Sequence, residues 1–517
     1  MGNRIENSLR NTSFAMAGQA VSLVLSFVTR TFFIKYLDAS YLGINGLFTN
    51  ILSMLSFAEL GFGTAIIYEL YKPLAENNQK KIAALMNLFK SIYRFVGCFI
   101  LLAGSLLIPF LDFFIEDTAE IPQGIPALWI VYVLYLLNSA ASYFFNYKRS
   151  LVIASQNGYI DSLNTLTFTL LRNVLQIAML VLFRAFIPYL VVQILCTFLG
   201  NVFISIKADK LFPYLKNYNS EKVDKASLKN ITKNVSAMAC HKLGSVLVSG
   251  VDNLLISKFV GLVAAGYYSN YTLLTKTVRT LYIQLFSAVT ASVGNFVAQK
   301  SSEENYVFYR KLFFFNGYVA VFCSSCLATL INPFITILWG KEFVFNTGLV
   351  LIIILNFYLT CCRQASDIFI DTNGLFWQVR WKSVVEAVIN LISSIVLAKC
   401  FELGITGVML GTTISTLCTN FWWEPYVVFK YVFKKNVMGY FKQFFQYFIV
   451  VVLSIGVCTA IERFIPVTIV GFVCAATVSV VVPNVMMWIL FRKTVEYEYF
   501  KQMIGNVVHR VIKRKRR

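Results

Sequence analysis

Apolar residues form long continuous runs along this chain, and short polar segments separate them. Runs of about 20 residues, the length of an α-helix that crosses a bilayer, or more occur at 13–36, 41–70, 82–111, 126–147, 158–183, 187–206, 233–259, 264–297, 308–337, 345–370, 383–401, 405–433, 443–462 and 466–491. The runs do not alternate between apolar and polar positions, as the strands of a membrane barrel would. The pattern predicts an all-α integral membrane protein with about 14 transmembrane helices.

The pattern also repeats, which predicts two similar halves. SLRN at 8–11 returns as SLKN at 227–230, and KYLDASYLG at 35–43 has the spacing of KFVGLVAAG at 258–266. Each copy falls beside the first helix of a six-helix set, so we expect two pseudo-symmetric six-helix bundles in the same orientation. The predicted divisions are bundles at 1–206 and 233–433, a cytoplasmic linker at 207–232, two additional helices at 434–493 and a basic cytoplasmic tail at 494–517.

The charged residues agree with a membrane protein and predict its orientation. Only 14% of the 517 residues are charged, whereas a soluble surface needs roughly a quarter. The net charge of +21 could indicate nucleic acid, but 32 of the 46 Lys and Arg fall in segments on one side of the predicted helices and six on the other. This asymmetry follows the positive-inside rule. It predicts a multi-pass protein with both termini in the cytoplasm and no nucleic-acid partner.

The remaining eight basic residues lie well inside the apolar runs, where a charge costs about 3 kcal/mol or more on insertion scales. They are Arg30, Lys90, Arg94, Arg172, Lys242, Lys276, Arg279 and Arg363. Polar residues accompany several of them at helical spacing, as Ser22 and Ser26 accompany Arg30. Such polar stripes occur on the predicted helices 1, 2, 7, 8 and 10. Because so many stripes cannot all face lipid, they predict a hydrated central cavity between the bundles.

Cations outnumber acids among the residues predicted to line this cavity. The cations are Arg30, Lys242, Lys276, Arg279 and Arg363, and the titratable groups for ion coupling or charge pairing are Glu59, His241, Asp252 and Asp367. A net positive cavity attracts anions, and arginine offers a fork of donors that suits phosphate oxygens. We therefore expect the cations to bind a cargo that carries phosphate or carboxylate.

Some of these charges also have a purely structural interpretation. Arg363 and Asp367 stand four residues apart and can neutralise each other, and Arg30 can pair with Glu59 on the adjacent predicted helix. His241 can be a proton-linked switch or an ordinary hydrogen-bonding residue. The sequence leaves these alternatives open.

Lys276 and Arg279 are harder to explain structurally. They lie one helical turn apart with no acid on the same face, so they repel each other unless an anion or water separates them. Lys90 and Arg94, by contrast, can snorkel to a membrane interface. Arg172 has no assignment from the sequence.

Two stretches carry a resemblance to a known family. YLGINGLFTNILSMLSFAELGFGTAI near the second helix and RQASDIFIDTNGLFWQVRWKSVVEAVINLISSIVLAK near the tenth resemble the bacterial polysaccharide (O-antigen and capsule) repeat-unit flippases of the multidrug/oligosaccharidyl-lipid/polysaccharide exporter superfamily. The resemblance implies a two-bundle fold that works by alternating access in the bacterial inner or plasma membrane. The implied cargo is an undecaprenyl-pyrophosphate-linked oligosaccharide, moved from the cytoplasmic to the outer leaflet. Implied partners are membrane lipids, a glycan polymerase and glycosyltransferases of the same pathway.

Other functions fit parts of the pattern. A lipid II flippase would also need a cationic cavity, and a multidrug exporter of the same superfamily would more often need an acidic one. A membrane glycan polymerase or ligase would normally need a large external loop, whereas the predicted outside loops have about 13 residues or fewer. The sequence shows no metal-ligand cluster, nucleophile–His arrangement or phosphate-binding loop. We therefore expect a transporter without cofactor or metal, and not an enzyme.

Overall fold

The computed structural model describes most of the chain, and the statements below concern its described residues. These are 18, 21–56, 69–71, 73–74, 76–115, 121–122, 124–125, 127–155, 157–218, 221–224, 228, 231 and 250–502. They form helices joined by loops, and no strand occurs among them. They fall into two compact units that divide between Ser269 and Asn270.

The predicted all-α membrane fold is confirmed. A described helix lies in each of the fourteen predicted apolar runs. Within the described part of the chain, eight helices are long and apolar enough to cross a membrane. Large side chains such as Leu102, Leu182 and Ile489 are exposed on these helices. Because water would penalise so much exposed apolar surface, the helices suit a lipid environment.

The first unit contains eight complete or partly described helices and the start of a ninth. They are α1 at 21–36, α2 at Ala39–Leu55, α3 at Gln79–Leu106, α4 at Leu128–Asn146, α5 at Arg149–Ala154, α6 at Gly158–Phe183, α7 at Phe186–Leu211, α8 at 250–259 and α9 at Leu262–Gln299. α7 extends five residues into the segment predicted as a linker. The short helix α5 was not predicted, since its six residues are too few for a recognisable period.

α8 and the start of α9 belong to the first unit, although their residues fall in the second predicted bundle at 233–433. Small residues make this association possible. A Cβ atom on Gly43 of α2 would collide with the Leu262 carbonyl, and one on Gly250 would lie 2.8 Å from the Met54 side chain. Glycine therefore permits close contact between these segments. The predicted division into bundles stays a prediction.

The second unit contains the rest of α9 and nine further helices among its described residues. They are α10 at Ser302–Leu338, α11 at Thr347–Cys362, α12 at Gln364–Asn373, α13 at Phe376–Val379, α14 at Lys382–Ile395, α15 at Gly404–Cys418, α16 at Asn420–Val428, α17 at Met438–Glu462 and α18 at Ile469–Phe491. The predicted runs 345–370 and 405–433 are each interrupted, at Arg363 and at Thr419. Residues 495–502 form a last short helix after α18.

α14 and α15 approach each other closely through two glycines on one face of α15. A Cβ atom on Gly407 would lie 2.6 Å from the backbone of Leu397 and Ala398, and one on Gly411 would lie 2.6 Å from the Ser394 nitrogen. Residues four apart share a helix face, so the two glycines together form the contact surface. This is the small-residue packing by which membrane helices associate.

We expect Gly407→Ala to destabilise the second unit, because the added methyl group must push α14 and α15 apart. Overpacking of this kind costs about 1–3 kcal/mol. The measurement is the apparent melting temperature of the purified protein in detergent. Gly456→Ala on α17 is the matched control, since a Cβ atom at Gly456 would meet nothing within 4 Å. Equal melting temperatures for the two variants would contradict the packing argument.

Candidate functional site

In the first unit, Arg30 lies in a polar setting on α1. Its Nη2 atom donates a hydrogen bond to the Ser269 hydroxyl at the start of α9. Ser269 in turn donates to the Gly266 carbonyl at 2.7 Å, so one hydroxyl serves as acceptor and donor. Arg30 also lies within electrostatic range of Tyr135 and Tyr189. These contacts hold a cation in the middle of an apolar helix, where an unsolvated charge would be costly.

The neighbouring positions fix α1 against its surroundings. The Thr29 hydroxyl donates to Asn173 of α6 at 2.6 Å, and both side chains are buried. The Tyr135 hydroxyl donates to Asn45 of α2 at 2.5 Å. Hydrogen bonds therefore connect α1 with α6 and α2 with α4. Because Thr29 is next to Arg30, the bond from Thr29 to Asn173 also fixes the part of α1 that carries Arg30.

Several residues predicted for the site lie outside the described residues. These are Glu59, His241 and Lys242, so the alternative pair between Arg30 and Glu59 stays a prediction. Asp252 is described, and it lies partly buried on α8. Lys276 and Arg279 lie one turn apart on α9 with exposed side chains, in the second unit.

The second unit holds a network of buried charges around Glu424. The Arg363 Nη2 atom lies 3.0 Å from a Glu424 carboxylate oxygen, and the Arg363 Nε atom lies 3.5 Å from Asp367. The Lys382 ammonium group binds the same oxygen of Glu424. The Glu424 side chain is fully buried, and that of Lys382 is 4% exposed. Glu424 thus joins two cations from different helices.

Breaks in the helices bring these groups together. Arg363 sits between α11 and α12, and Thr419 between α15 and α16, where its ψ angle of −87° departs from helical geometry. Pro425 follows within α16 and removes one backbone donor from the helix. The interruptions place Arg363 at a joint between two helices and Glu424 within the short helix that follows the second break.

Further polar contacts surround the network. Asn420 donates to the Glu386 carboxylate of α14. The Tyr309 and Ser366 hydroxyls are 2.8 Å apart, and the Tyr309 ring packs edge-on against Phe369 with 5.2 Å between ring centres. These contacts pair several polar groups inside an otherwise apolar unit. Glu424 Oε2 and Asn420 Oδ1 are buried without a hydrogen-bond partner among the described residues.

Acids compensate the cations of this network. Arg279 interacts electrostatically with Arg363, Asp367 and Glu386. Asp371 interacts with Asp367 and Lys382. With Lys382 and Glu424, the group has three cations and four acids. The predicted excess of positive charge therefore does not extend to Arg363, because Glu424 and Asp367 compensate it. In the first unit, the Arg30 guanidinium donates to the Ser269 hydroxyl.

Three members of this network, Glu424, Glu386 and Lys382, were not among the predicted site residues. Glu424 and Glu386 lie inside the apolar runs 405–433 and 383–401, so their positions in the sequence already mark them as acids within membrane helices. Lys382 was assigned to a polar segment at the end of a run. In the structure it begins α14 and is buried, because its ammonium group reaches Glu424. No group of three or more potential metal ligands occurs among the described residues.

Comparisons with known proteins agree with this architecture. Over 251 residues the chain is 26% identical to a putative O-antigen export protein of Yersinia pseudotuberculosis, a match that covers 46% of this chain and 54% of the relative. The match thus spans about half the length of that curated relative. No family model matches the chain.

Solved structures show the same fold. The lipid II flippase MurJ, in an inward closed conformation, matches with a TM-score of 0.62 over 92% of this chain and 98% of its own, at 16% identity. The chain has the fold of the multidrug/oligosaccharidyl-lipid/polysaccharide transporters. An inward-facing multidrug resistance transporter of this superfamily matches with a TM-score of 0.58 over 80% of this chain and 98% of its own, at 12% identity. The predicted resemblance to this superfamily is confirmed, and none of these relatives is named as an enzyme.

Proposed function

We propose that this chain is a flippase that moves an oligosaccharide linked to undecaprenyl pyrophosphate from the cytoplasmic to the outer leaflet of a bacterial inner membrane. The observation that carries the proposal is the sequence similarity to a putative O-antigen export protein. The shared fold supports transport, and the similarity in sequence favours a glycan among the cargoes of the superfamily. Alternating access is the mechanism that the fold suggests.

The buried cations supply the chemistry that such a cargo needs. A pyrophosphate is an anion, and arginine binds phosphate oxygens through two parallel hydrogen bonds. Arg30 already donates to a hydroxyl, which a phosphate oxygen can replace as acceptor. Lys276 and Arg279 present two further cations on exposed positions of α9. The lipid tail would stay in the bilayer, where the exposed apolar side chains of the helices also lie.

We place both termini in the cytoplasm, because the basic residues concentrate on that side of the predicted helices. A glycan polymerase and the glycosyltransferases of the same pathway are then the proposed functional partners. The former would consume the translocated product, and the latter would assemble the cargo on the cytoplasmic leaflet.

A lipid II flippase is the second candidate. The observation in its favour is the match to MurJ over nearly the whole of both chains. Its cargo also carries a pyrophosphate on an undecaprenyl chain, so the cations alone do not separate the two candidates. A multidrug exporter is the third candidate, but Arg30, Lys276 and Arg279 suit anions better than organic cations.

Removal of the protein separates these functions. We expect a lipid-linked oligosaccharide to accumulate on the cytoplasmic face, because synthesis continues while translocation stops. The measurement is mass spectrometry of extracted lipids, together with the access of a lectin to the glycan in sealed vesicles of known orientation, which assigns the leaflet. Accumulation of lipid II instead would favour the second candidate. Unchanged lipid-linked glycans would contradict the proposal.

A further inference from the structure

A polar groove runs between α6 and α7 in the first unit, and Arg30 is not among the residues that line it. It has a volume of about 200 Å³. Both helices are long and apolar enough to cross a membrane. The polar side chains that line the groove are Arg149, Asn164, Thr165, Thr169, Arg172, Thr197 and Asn201. So many hydrogen-bonding groups on two membrane helices indicate a polar ligand or water, not lipid tails.

The side-chain oxygen of Asn164 is a hydrogen-bond acceptor to which no described residue donates. The Asn164 side chain is 7% exposed, and its Nδ2 atom donates to the Gly200 carbonyl at 3.1 Å. Its Oδ1 atom is buried and has no hydrogen-bond partner within the described parts of the chain. A buried carbonyl oxygen in this state costs free energy. A ligand hydroxyl or amide that donates to it would remove that cost.

The two arginines of the groove differ in how their charges are compensated. Arg149 binds the carboxylate of Asp161, and its Nη2 atom donates to Thr165 at 2.9 Å. Arg172 is partly buried and forms no ion pair with any residue that the structure describes. Its electrostatic neighbours Tyr189 and Cys196 are uncharged at neutral pH. The groove therefore has one cation to offer to an anion.

These features define the class of ligand. It must carry a negative charge for Arg172 and a hydrogen-bond donor for Asn164. The volume of about 200 Å³ is below the roughly 300–1,000 Å³ of pockets that enclose whole small molecules. The groove therefore suits a single sugar-sized group, while the rest of a larger molecule lies outside it.

We propose that this groove binds one acidic or phosphorylated sugar residue of the translocated glycan, through Arg172 and Asn164. The proposal rests on the function proposed above, and adds Arg172 and Asn164 to the residues that contact the cargo. The headgroup of phosphatidylglycerol shares the same chemistry, since it combines a phosphate with hydroxyls. The experiment must distinguish these two sources.

The test uses the full-length protein in nanodiscs of phosphatidylcholine, with glucose 1-phosphate, galacturonic acid and neutral glucose as probes. Binding is measured by saturation-transfer NMR of the probes. We expect the two acidic sugars to bind and glucose to bind much more weakly. Arg172→Gln should weaken the binding of the two acidic sugars about tenfold or more, because it removes a charged hydrogen-bond partner. Arg172→Lys keeps the positive charge, so its affinity for the acidic sugars should fall less than that of Arg172→Gln.

Arg94→Gln is the matched control, because Arg94 is a cation on α3 and does not line the groove. Equal binding by wild type and Arg172→Gln would overturn the proposal. A second arm adds phosphatidylglycerol to the nanodiscs and counts bound lipids by native mass spectrometry. If phosphatidylglycerol binds through Arg172 and the sugars do not bind at all, the groove is a lipid site and the proposal is overturned.

Glycan export by the variants separates this proposal from the proposed function. Sugar binding in the groove, with no glycan accumulating when the protein is removed, would overturn the proposed flippase function but leave the groove as a sugar site. A different outcome is that the lipid-linked glycan accumulates when the protein is removed, but Arg172→Gln exports glycan fully. That outcome would overturn the role of the groove and would leave the proposed flippase function intact. We expect Arg172→Gln to reduce export and Arg94→Gln to leave it unchanged.

Discussion

Replacement of Glu424 by Ala should destabilise the second unit more than Gly407→Ala does. Glu424 neutralises both Arg363 and Lys382, and its side chain is fully buried. Loss of one partner from a buried ion pair costs about 3–5 kcal/mol, because the remaining charge is uncompensated. Both cations bind the same carboxylate oxygen of Glu424, and Arg363 also forms an ion pair with Asp367. We expect the apparent melting temperature in detergent to fall by on the order of 10 °C, and less protein to accumulate in the membrane.

Further variants show whether the loss of the negative charge causes the loss of stability in Glu424→Ala. Glu424→Gln keeps the shape of the side chain, so a large loss of stability there would be electrostatic. The double variant Glu424→Gln/Lys382→Met should regain part of the stability that Glu424→Gln loses, because it also removes a buried cation that has lost its ion-pair partner. Glu303→Ala is the control: Glu303 pairs with Lys435 at 2.7 Å, but its side chain is 67% exposed. Exposed pairs contribute about 0–1 kcal/mol. If Glu424→Ala is no worse than Glu303→Ala, the network is not structural.

The fold could be predicted because its signal is local. A run of apolar residues long enough to cross a bilayer needs no knowledge of its neighbours, and so all fourteen runs contain described helices. The interruptions at Arg363 and Thr419 were not predicted. Neither residue is a strong helix breaker, and the breaks depend on contacts such as the one between Arg363 and Glu424.

The partners of the buried charges could not be predicted, because they come from different helices. Spacing along one helix suggested that Arg363 faces Asp367, and the structure places them 3.5 Å apart. The closer partner, Glu424, lies 61 positions away in the sequence, on α16. Likewise, nothing in the sequence connects Arg30 with Ser269, which is 239 positions away. Such contacts depend on helix packing, which a single sequence does not encode locally.

These contacts separate the cations into two groups with different expected roles. Arg363 is compensated by acids, so its replacement should affect stability as much as transport. Arg30 donates to a hydroxyl, and Arg279 lies on an exposed position of α9. An anionic cargo can compete with the Ser269 hydroxyl for the Arg30 donor, and it can reach the exposed side chain of Arg279. Arg30 and Arg279 are therefore the better test of substrate binding.

We expect Arg30→Ala together with Arg279→Ala to reduce glycan export by at least tenfold at normal protein levels. A hydrogen bond to a charged group contributes about 1.5–3 kcal/mol, and the loss of one such contact corresponds to roughly 10- to 150-fold in binding. The measurement is surface glycan per cell, normalised to the amount of protein in the membrane. Arg30→Lys should keep part of the activity, because it retains the charge but not the paired donors.

Lys35→Ala is the matched control for Arg30, since Lys35 is an exposed cation on the same helix. It should leave export within about twofold, as expected for an exposed charge outside the site. If the double variant exports normally while it is present at normal levels, the cations do not bind the cargo. If Lys35→Ala lowers export as much as Arg30→Ala does, general positive charge on α1 matters, and not the position of Arg30 beside Ser269.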